Sequence, residues 1–537
     1  MNCALYGHAG RWIMVDLGVM FGDETTPGIE VIVPDTAAAE AVRDRLDAIV
    51  ITHAHEDHIG AVPHLWSELG APVHVTPFSA AFLRRKLRDE GAEGEVPIVE
   101  HEPGVRFTVG PFELEYLPLA HSIPEPNALV IRTVAGSVFH TGDWKLDPGP
   151  VVGAPVDEGL FRRLGDEGIA AMICDSTNAT IDGASGSEAD LLESLTSLIA
   201  SRSNRVVFAC FASNVARLDT VARAAGANGR STALVGRSLK RMDDIARQCG
   251  YLADIPAFVS EQHAGYLPRS STAMICTGSQ GEPRAALARI ASGSHPHVAL
   301  ESGDTLVFSS RTIPGNERGV ARLQDRFLRM GVEIVTSRDA FVHVSGHPGR
   351  DELRRMYEWI RPKAAVPVHG ELHHLRAHAE LARDCGVGTV VEIEDGALLR
   401  ITGDRVERLG DIQVGRLGLD GGRLVPLESE HVRARRRLSE QGVVTASIVL
   451  NGGGRTLVEP SVSSRGIVAE DEVADLASEL ATRCNHAIGR LTGMQRRDDG
   501  TVEEAARRAM RRHVREQYNR RPLVEVHVMR IDGGQSR

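Results

Sequence analysis

One short stretch limits what this chain can fold into more than any other: Ile49-Val-Ile-Thr-His-Ala-His-Glu-Asp-His-Ile-Gly60. Its first residues continue an apolar run, Ala48–Thr52, that is typical of a buried β-strand. Four side chains that can bind a metal follow that run at once, namely His53, His55, Asp57 and His58. A polar loop that happens to be rich in histidine is the alternative, but this pattern directly after a buried strand favours a metal site.

The spacing inside this motif indicates two metals rather than one. His53 and His55 are two residues apart, so they can point the same way as the chain leaves the strand. Asp57 and His58 are adjacent and can therefore face a second metal nearby. Imidazole and carboxylate ligands suit zinc, and manganese is an alternative where carboxylates contribute more.

The rest of the chain has to supply the other domains and the missing ligands. At 537 residues it is too long for one core, and about three domains are expected. No apolar stretch is long enough to cross a membrane and the N-terminus lacks a signal pattern, so we expect a cytoplasmic protein. The seven cysteines include no Cys-x-x-Cys pair, which argues against a disulfide framework and a thiolate metal site. A net charge of −11 argues against a protein coated in nucleic acid but leaves a local basic channel open.

Two further candidate ligands follow predicted strands. His121 comes directly after the strand Phe112–Leu119, and Asp143 follows another strand in Val138-Phe-His-Thr-Gly-Asp-Trp144. Taken singly, these are more typical of a hydrogen-bonded histidine and a turn-forming aspartate. Together with the first motif they supply a third histidine for one metal and a carboxylate able to bridge two.

In this order the motifs resemble those of a known family. Asp16, the His-x-His-x-Asp-His motif, His121 and Asp143 resemble the metallo-β-lactamase fold. Asp175, His347 and His369 resemble the three extra motifs of its β-CASP branch, whose members are nucleic-acid nucleases. The fuller resemblance is to the bacterial ribonuclease J family, and it rests also on His140-Thr-Gly-Asp, Phe211-Ala-Ser-Asn-Val, Thr277-Gly-Ser-Gln-Gly-Glu-Pro and Ile313-Pro-Gly-Asn-Glu.

The resemblance implies an α/β fold: a metallo-β-lactamase αββα sandwich with an inserted β-CASP α/β domain and a small C-terminal α+β domain. We expect the sandwich over 1–190 and 340–410, the insert over 191–339, a linker over 411–440 and the C-terminal domain over 441–537. The family also carries an N-terminal strand and a Glu-Ile-Gly loop before the segment that begins here at Met1. We therefore expect either a start that lies upstream of Met1 or a first sheet that lacks an edge strand.

The resemblance also implies a division of the ligands between two Zn²⁺ ions, with Mn²⁺ or Mg²⁺ as alternatives. The first ion takes His53, His55 and His121, the second takes Asp57, His58 and His369, and Asp143 bridges them. Asp16 is expected to orient a ligand imidazole, although a turn residue at a strand end is the other interpretation. His347 is expected to protonate the leaving 3′ oxygen with support from Asp175.

Candidate phosphate-binding residues surround His347 and one loop of the insert. Ser345 and Gly346 lie on the same turn as His347, where backbone N–H groups can hold a phosphate. His343 is as well explained by a structural role. Ser309, Ser310, Arg311 and Asn316 form a polar loop for RNA or a 5′ phosphate, or an ordinary Pro-Gly-Asn turn.

These residues predict a zinc-dependent ribonuclease that cuts single-stranded, 5′-monophosphorylated RNA as a 5′-to-3′ exonuclease and an endonuclease. Histidine at 369 favours RNA, since the DNA-repair members of the branch typically carry valine there. The resemblance further implies a homodimer or homotetramer formed through the C-terminal domain. A small-molecule metallo-hydrolase and a catalytically silent RNA-binding scaffold remain as alternatives. The arginine-rich run Arg433–Ser439 is interpreted as a solvated basic linker, with a contact to RNA as the alternative. The arginines from Arg507 to Arg512 are interpreted as an exposed helix face.

Overall fold

The structure, a computed structural model, describes residues 1–403 and 405–531. Two compact units are present: Met1–Met20 with Val33–Gly415, and Phe21–Ile32 with Arg416–Arg537. No helix within the described ranges combines the length and the apolarity that a membrane crossing requires.

Two sheets form the centre of the first unit. One has five strands in the order Ala4–His8, Arg11–Val15, Leu46–Val50, Val73–Val75 and Ile98–Glu100. The other has seven, in the order Thr389–Val390, Ala364–Val368, Ala171–Asp175, Gly136–His140, Asn127–Thr133, Phe112–Pro118 and Arg106–Val109. One buried cluster contains Val15 and Val50 of the first sheet with Leu114 and Leu129 of the second, so the sheets pack face to face.

Helices cover the outer faces of these sheets, as the predicted αββα sandwich requires. Phe161, Met356 and Leu381 pack on the outer face of the second sheet through Met172 and Phe139. The helices of the two sheets are Val62–Leu69, Pro77–Asp89, Glu158–Glu167, Arg350–Ile360 and Leu372–Asp384, with the short turns Ala37–Glu40 and Glu56–Ile59. A separate hairpin, Ala397–Thr402 with Arg405–Asp411, follows them.

The insert is a parallel α/β layer with its own core. Its six strands run in the order Val259–Ser260, Ser231–Val235, Thr272–Cys276, Val206–Ala209, Thr305–Phe308 and Glu333–Val335. All neighbours are parallel, so helices have to cover both faces. These helices are Glu188–Ala200, Val215–Ala227, Arg237–Gln248, Glu261–Ala264, Ala286–Ala291 and Glu317–Arg329.

The return from the insert brings distant residues together. After residues 336–349 and the helix Arg350–Ile360, the strand Ala364–Val368 pairs in parallel with Ala171–Asp175, and Val368 lies opposite Asp175. On its other side Ala171–Asp175 pairs in parallel with Gly136–His140. The carboxyl ends of three parallel strands therefore meet at one edge, and Asp143, Asp175 and His369 lie at those ends.

The second unit is built around two small sheets. One contains Arg423–Pro426, Arg416–Asp420, Val31–Pro34 and Met20–Phe21, and the other contains Ser461–Arg465, Val443–Asn451 and Leu523–Ile531. The helices Val473–Gly489 and Asp499–Tyr518 pack on the three-stranded sheet. The predicted linker over 411–440 contains a β-hairpin and most of the helix Glu430–Gln441. The arginine-rich run lies on that helix.

Candidate metal centre

The first ligand motif follows its strand as predicted. The strand Leu46–Val50 ends just before it, and His53 and His55 leave the sheet in an extended segment. The chain then makes one helical turn, Glu56–Ile59, which carries Asp57 and His58. Asp57 and His58 belong to a different group of close side chains from His53 and His55.

Three imidazoles meet at one point of the centre. His55 Nδ1 lies 3.1 Å from His53 Nε2 and 3.0 Å from His121 Nε2. The ligand atoms of a tetrahedral zinc site, with bonds of about 2.0–2.1 Å, lie at comparable separations of about 3.3 Å. Asp143 Oδ2 completes this group at 3.9 Å from His53 and 3.8 Å from His121. His53, His55, His121 and Asp143 form a group whose ligand atoms can hold one ion.

The protonation of these imidazoles fits metal binding. Burial, followed by the imidazoles of His58 and His55, holds the pKa of His53 well below its usual value. Burial likewise lowers the pKa of His55 to about 4, and burial with the nearby His55 and His347 lowers the pKa of His121. Neutral rings offer the lone pairs that a metal ligand needs.

A second group shares Asp143 with the first. His58 Nε2 and His369 Nε2 lie 3.2 and 3.5 Å from Asp143 Oδ2, and Asp57 Oδ2 lies 3.5 Å from His58 Nε2. Asp57, His58, Asp143 and His369 form the second group of mutually close ligand atoms. Asp143 Oδ1 is buried and has no hydrogen-bond partner within the part of the chain that the structure describes. A buried carboxylate oxygen without a donor is costly, and a cation beside it removes the cost.

Charge is concentrated on the shared carboxylate. Burial raises the pKa of Asp143, but the imidazoles of His369 and His58 outweigh it and hold that pKa well below its usual range. Burial lowers the pKa of His58, but Asp143, Asp57 and Asp16 outweigh it and raise that pKa well above its usual value. A metal bound at His58 Nε2 would take the place of a proton on that ring.

Asp16 contacts the second ring nitrogen of His58. Asp16 Oδ2 lies 2.7 Å from His58 Nδ1 and accepts from the hydroxyl of Thr52, and Asp16 Oδ1 accepts from the backbone N–H of Thr52. Asp16 adopts a left-handed conformation with φ of 62° at its strand end, which turns its carboxylate toward the centre. The contact is the one that the predicted orienting role needs.

Asn2 is a site residue that the sequence did not reveal. Its Oδ1 lies 2.9 Å from His369 Nδ1, and its Nδ2 donates to the carbonyl of Asp57 at 3.0 Å. It therefore links the two ends of the chain segment that builds the second ligand group. Its only sequence signal is a polar residue just before a strand, which is too common to be informative.

His347 and Asp175 form a pair beside the two ligand groups. His347 Nδ1 lies 2.8 Å from Asp175 Oδ2, and the His347 ring lies 5.0 Å from the His121 ring. Asp175 Oδ1 accepts from the backbone N–H and the hydroxyl of Thr177. Burial lowers the pKa of His347, but Asp175 outweighs it and raises that pKa to about 9. The pair also forms a third group of close ligand atoms with Asp143 and His369.

The turn that carries His347 is arranged differently from the prediction. Ser345 Oγ accepts from the backbone N–H of His347 and from the side chain of Asn178. The carbonyl of Gly346 lies 2.5 Å from His121 Nδ1, so the carbonyl rather than the N–H of Gly346 faces the centre. A Cβ at Gly346 would lie 2.8 Å from the His121 ring, which explains the glycine.

The loop of the insert is partly buried. Ser309 is buried, donates to the carbonyl of Val342 at 2.7 Å and contacts Arg217. Ser310 is also buried. His343 is largely buried, and burial lowers its pKa to about 3. A buried, neutral imidazole fits a structural role.

Two residues of that loop remain accessible or linked to the centre. Arg311 is exposed and donates to Asn178 Oδ1 at 2.6 Å. Asn178 in turn donates to the carbonyl of His347 at 3.0 Å, so it joins the loop of the insert to the turn of His347. Asn316 lies at the start of the helix Glu317–Arg329 and makes a long contact to Gln280. Asn178 is a second residue that the sequence did not reveal as part of the site.

Comparison with known proteins identifies the family. Four family profiles match: "Metallo-beta-lactamase superfamily" over 2–209, "Ribonuclease J, beta-CASP domain" over 203–327, "Zn-dependent metallo-hydrolase RNA specificity domain" over 331–392 and "Ribonuclease J C-terminal domain" over 430–531. Ribonuclease J of Sinorhizobium meliloti is 43% identical over 536 residues, which cover 99% of this chain and 95% of that protein. The chain belongs to the ribonuclease J family.

Other ribonuclease J proteins are similar over the same length. Ribonuclease J2 of Bacillus subtilis is 32% identical over 96% of this chain and 94% of that protein. A crystal structure of an Enterococcus faecalis protein of unknown function covers 76% of this chain and 96% of its own, with a TM-score of 0.51 and 14% identity, so it bears on the fold alone. These comparisons confirm the predicted family and the predicted fold class.

Proposed function

We propose that this chain uses two zinc ions to hydrolyse single-stranded RNA, internally and from a 5′-monophosphorylated end. Membership of the ribonuclease J family makes it a metal-dependent ribonuclease. The identity of the ion, the count of two and the preference for a 5′ monophosphate are what we add.

The observation that carries this function is the sharing of Asp143 by two four-residue ligand groups. When bound, two zinc ions supply Lewis acidity to the attacking water and to the phosphoryl oxygens. Histidine and aspartate ligands without cysteine support zinc or manganese over softer metals. The profile that covers residues 331–392, which hold His347 and His369, is described as an RNA specificity domain of zinc-dependent metallo-hydrolases.

His347 is the proposed general acid. Asp175 fixes its Nδ1 at 2.8 Å, which leaves Nε2 as the nitrogen that gives a proton to the leaving 3′ oxygen. Thr177 holds the other carboxylate oxygen of Asp175, so the pair is positioned before the substrate binds. Arg311 is the proposed contact to the scissile strand or its 5′ phosphate, since it is exposed and Asn178 connects it to the turn of His347.

The alternatives receive less support. A silent scaffold would be expected to have lost ligands, whereas all seven predicted ligands are present and close together. A small-molecule hydrolase has no use for the insert, whose profile is that of ribonuclease J. We also propose that copies of the chain associate through the C-terminal unit. The cytoplasm is the proposed location, and the seven free cysteines fit a reducing compartment.

A cleavage assay with metal analysis tests this function. Protein loaded with zinc or manganese is incubated with 5′-monophosphorylated and 5′-hydroxyl RNA, as wild type and as Asp57→Ala and His347→Ala. We expect both variants to lose at least about 100-fold in rate, with metal loss only in Asp57→Ala. His486→Ala changes an exposed histidine of the helix Val473–Gly489 and serves as the matched control. Nucleotide release that survives both substitutions would sink the mechanism, and full metal occupancy without cleavage by wild type would favour the scaffold.

A further inference from the structure

A concentrated group of arginines lies in the second unit, outside the metal centre. An open depression of about 840 Å³ is lined by Arg437, Arg511, Arg512, Arg515, Glu516, Asn519, Arg521, Pro522 and Leu523. Five of these nine side chains are arginines and one is acidic. We call this set the arginine depression.

The local structure explains how the arginines converge. Arg511, Arg512 and Arg515 lie near the end of the helix Asp499–Tyr518, at a spacing that places them on one face. Asn519 ends that helix in a left-handed conformation, and the chain turns back through Arg521 into the strand Leu523–Ile531. Arg437 comes from the helix Glu430–Gln441. Three separate segments therefore bring guanidinium groups to the same place.

Four of these five arginines differ from their neighbours in having no carboxylate partner. Arg507 and Arg508, earlier on the same helix, are both paired with Glu504. Within the described ranges the side chains of Arg511, Arg512, Arg515 and Arg521 make no hydrogen bond and no ion pair. Arg437 is 3.8 Å from Glu430, which is itself 74% exposed.

The charge of this region runs against that of the chain. Residues 416–537 contain 21 arginines, no lysine and 17 acidic residues, a net charge of +4, whereas the whole chain carries −11. Guanidinium groups brought together without carboxylates repel one another, and an anion bound among them relieves that repulsion. Arginine matches the geometry of phosphate through paired N–H donors.

The geometry points to an anchoring site for the phosphate backbone of single-stranded RNA in the arginine depression. This inference rests on RNA being the substrate, as proposed above, and adds a second binding site for the same polymer. It replaces the prediction that the arginines up to Arg512 are merely a solvated helix face. Aromatic side chains are absent from the lining, so the site contacts the phosphate backbone and does not read base identity.

Salt-dependent binding tests the anchor without any need for cleavage. The full chain is freed of metal with a chelator, and its affinity for a fluorescein-labelled oligouridylate is measured by anisotropy over a range of KCl concentrations. Each phosphate contact contributes about 0.7 to the slope of log K against log[salt] for a single strand. The variant R511Q/R512Q/R515Q is expected to lower the magnitude of that slope by about 2, and R437Q/R521Q by about 1.4.

The matched control removes the same charge from the same unit. Arg483, Arg490 and Arg497 are exposed, lie outside the arginine depression and make no side-chain hydrogen bond or ion pair in the described structure. R483Q/R490Q/R497Q is expected to keep the wild-type slope. Thermal melts establish that each variant is folded, and R437Q/R521Q gives a second reading if the helix variant is not.

The outcomes separate this inference from the proposed function. Equal slopes for the two triple variants would overturn the anchor, and so would competition by polyglutamate or inorganic phosphate that matches competition by oligouridylate at equal charge. Photo-crosslinks from 4-thiouridine RNA to peptides containing Arg511–Arg521 are expected, and their absence beside crosslinks elsewhere also overturns it. The binding assay is done without metal, so its result does not depend on catalysis. A chain that binds RNA as expected here, but never cleaves RNA when it is loaded with metal, contradicts the proposed function alone.

Discussion

Three histidines of the metal centre are oriented by an oxygen on their second ring nitrogen. The oxygen belongs to Asp16 for His58 Nδ1, to the carbonyl of Gly346 for His121 Nδ1 and to Asn2 for His369 Nδ1. Such a contact fixes the tautomer and leaves Nε2 free to bind a metal. The three acceptors come from a carboxylate, a backbone carbonyl and an amide, so only the first leaves a clear trace in the sequence.

Asn2→Ala is expected to weaken metal binding while the fold stays intact. Removing the amide oxygen leaves His369 Nδ1 without its acceptor, and loss of such a partner typically costs 10–100-fold in metal affinity. Chelator competition measures the affinity, and a thermal melt of the metal-free chain checks the fold. Asn2→Asp keeps an oxygen at the same place and is expected to recover part of the affinity. Equal affinities for Asn2→Ala and wild type would show that Asn2 does not position His369.

Strand-end histidines and aspartates could be predicted because they carry local patterns. The motif from His53 to His58 follows an apolar strand, and His121, Asp143 and His369 each follow another. The contact of Asn2 joins residues 367 positions apart and has no local pattern. The burial of Ser309 is equally invisible in the sequence, because a serine in a polar loop gives no sign that its hydroxyl is buried against Val342.

At the scale of elements, a buried ion pair joins the insert to the returning chain. Arg217 is fully buried on the helix Val215–Ala227 and pairs with Glu188 at 3.1 Å. It also donates to the carbonyl of Ser309 at 2.8 Å and to that of Val342 at 3.3 Å. One guanidinium therefore fixes two helices, a strand end and the segment that leads to His347.

Arg217→Met is expected to destabilise the first unit by about 3–5 kcal/mol, because it leaves Glu188 buried without a partner. All four tryptophans (Trp12, Trp66, Trp144 and Trp359) belong to the first unit, so urea unfolding followed by tryptophan fluorescence reports on it. Arg162→Met on the helix Glu158–Glu167 is the control, since the side chains of Arg162 and its partner Glu158 are 47% and 45% exposed and their pair is worth at most about 1 kcal/mol. Similar losses for the two variants would contradict a special role for Arg217.

A buried histidine beneath the site predicts acid sensitivity. His378 lies between Ser176 Oγ and the Tyr357 hydroxyl, at 2.8 Å from each, and burial lowers its pKa to about 4. The unfolded chain takes up this proton near pH 6.5 and the folded chain only near pH 4. The contribution of His378 to stability is therefore complete above pH 6.5 and is lost as the pH falls toward 4.

Between pH 7 and pH 5 this one group should lower the free energy of unfolding by about 2 kcal/mol. His378→Gln removes the titration, so its unfolding free energy should fall less than that of wild type over this interval. Urea unfolding at both pH values measures the difference. A wild-type loss that His378→Gln reproduces in full would assign the acid sensitivity to other groups.

Helices and strands could be predicted where their apolar residues form a regular pattern, and less well where charged residues dominate the segment. The insert's strands are apolar runs between helical patterns, which indicates a parallel layer. The run Arg433–Ser439 contains four arginines and few apolar residues, so it gives no amphipathic signal for the helix Glu430–Gln441. Only Val432 of that helix is buried, which explains why the spacing of apolar residues did not predict the helix.

At the scale of the whole molecule, the metal centre depends on the return of the chain after the insert. The first ligands come before residue 60, and His369 comes only after the insert is complete. The second ligand group therefore cannot form until Ala364–Val368 pairs with Ala171–Asp175. Metal binding by that group is a property of the folded first unit and not of a local peptide.

The proposed association of copies through the C-terminal unit also concerns the whole molecule. The strand Leu523–Ile531 lies at an edge of its sheet in the described structure and exposes Met529 and Ile531. A nine-residue edge strand with exposed apolar side chains favours pairing with another chain.

We expect light scattering to give a multiple of 58.0 kDa for wild type and a mass near 58.0 kDa for Met529→Lys/Ile531→Lys. Leu409→Lys/Ile412→Lys, at exposed apolar positions of the first unit, should leave the multiple unchanged. A wild-type mass of one chain, or a multiple that survives the lysines at 529 and 531, would rule out this strand as the interface.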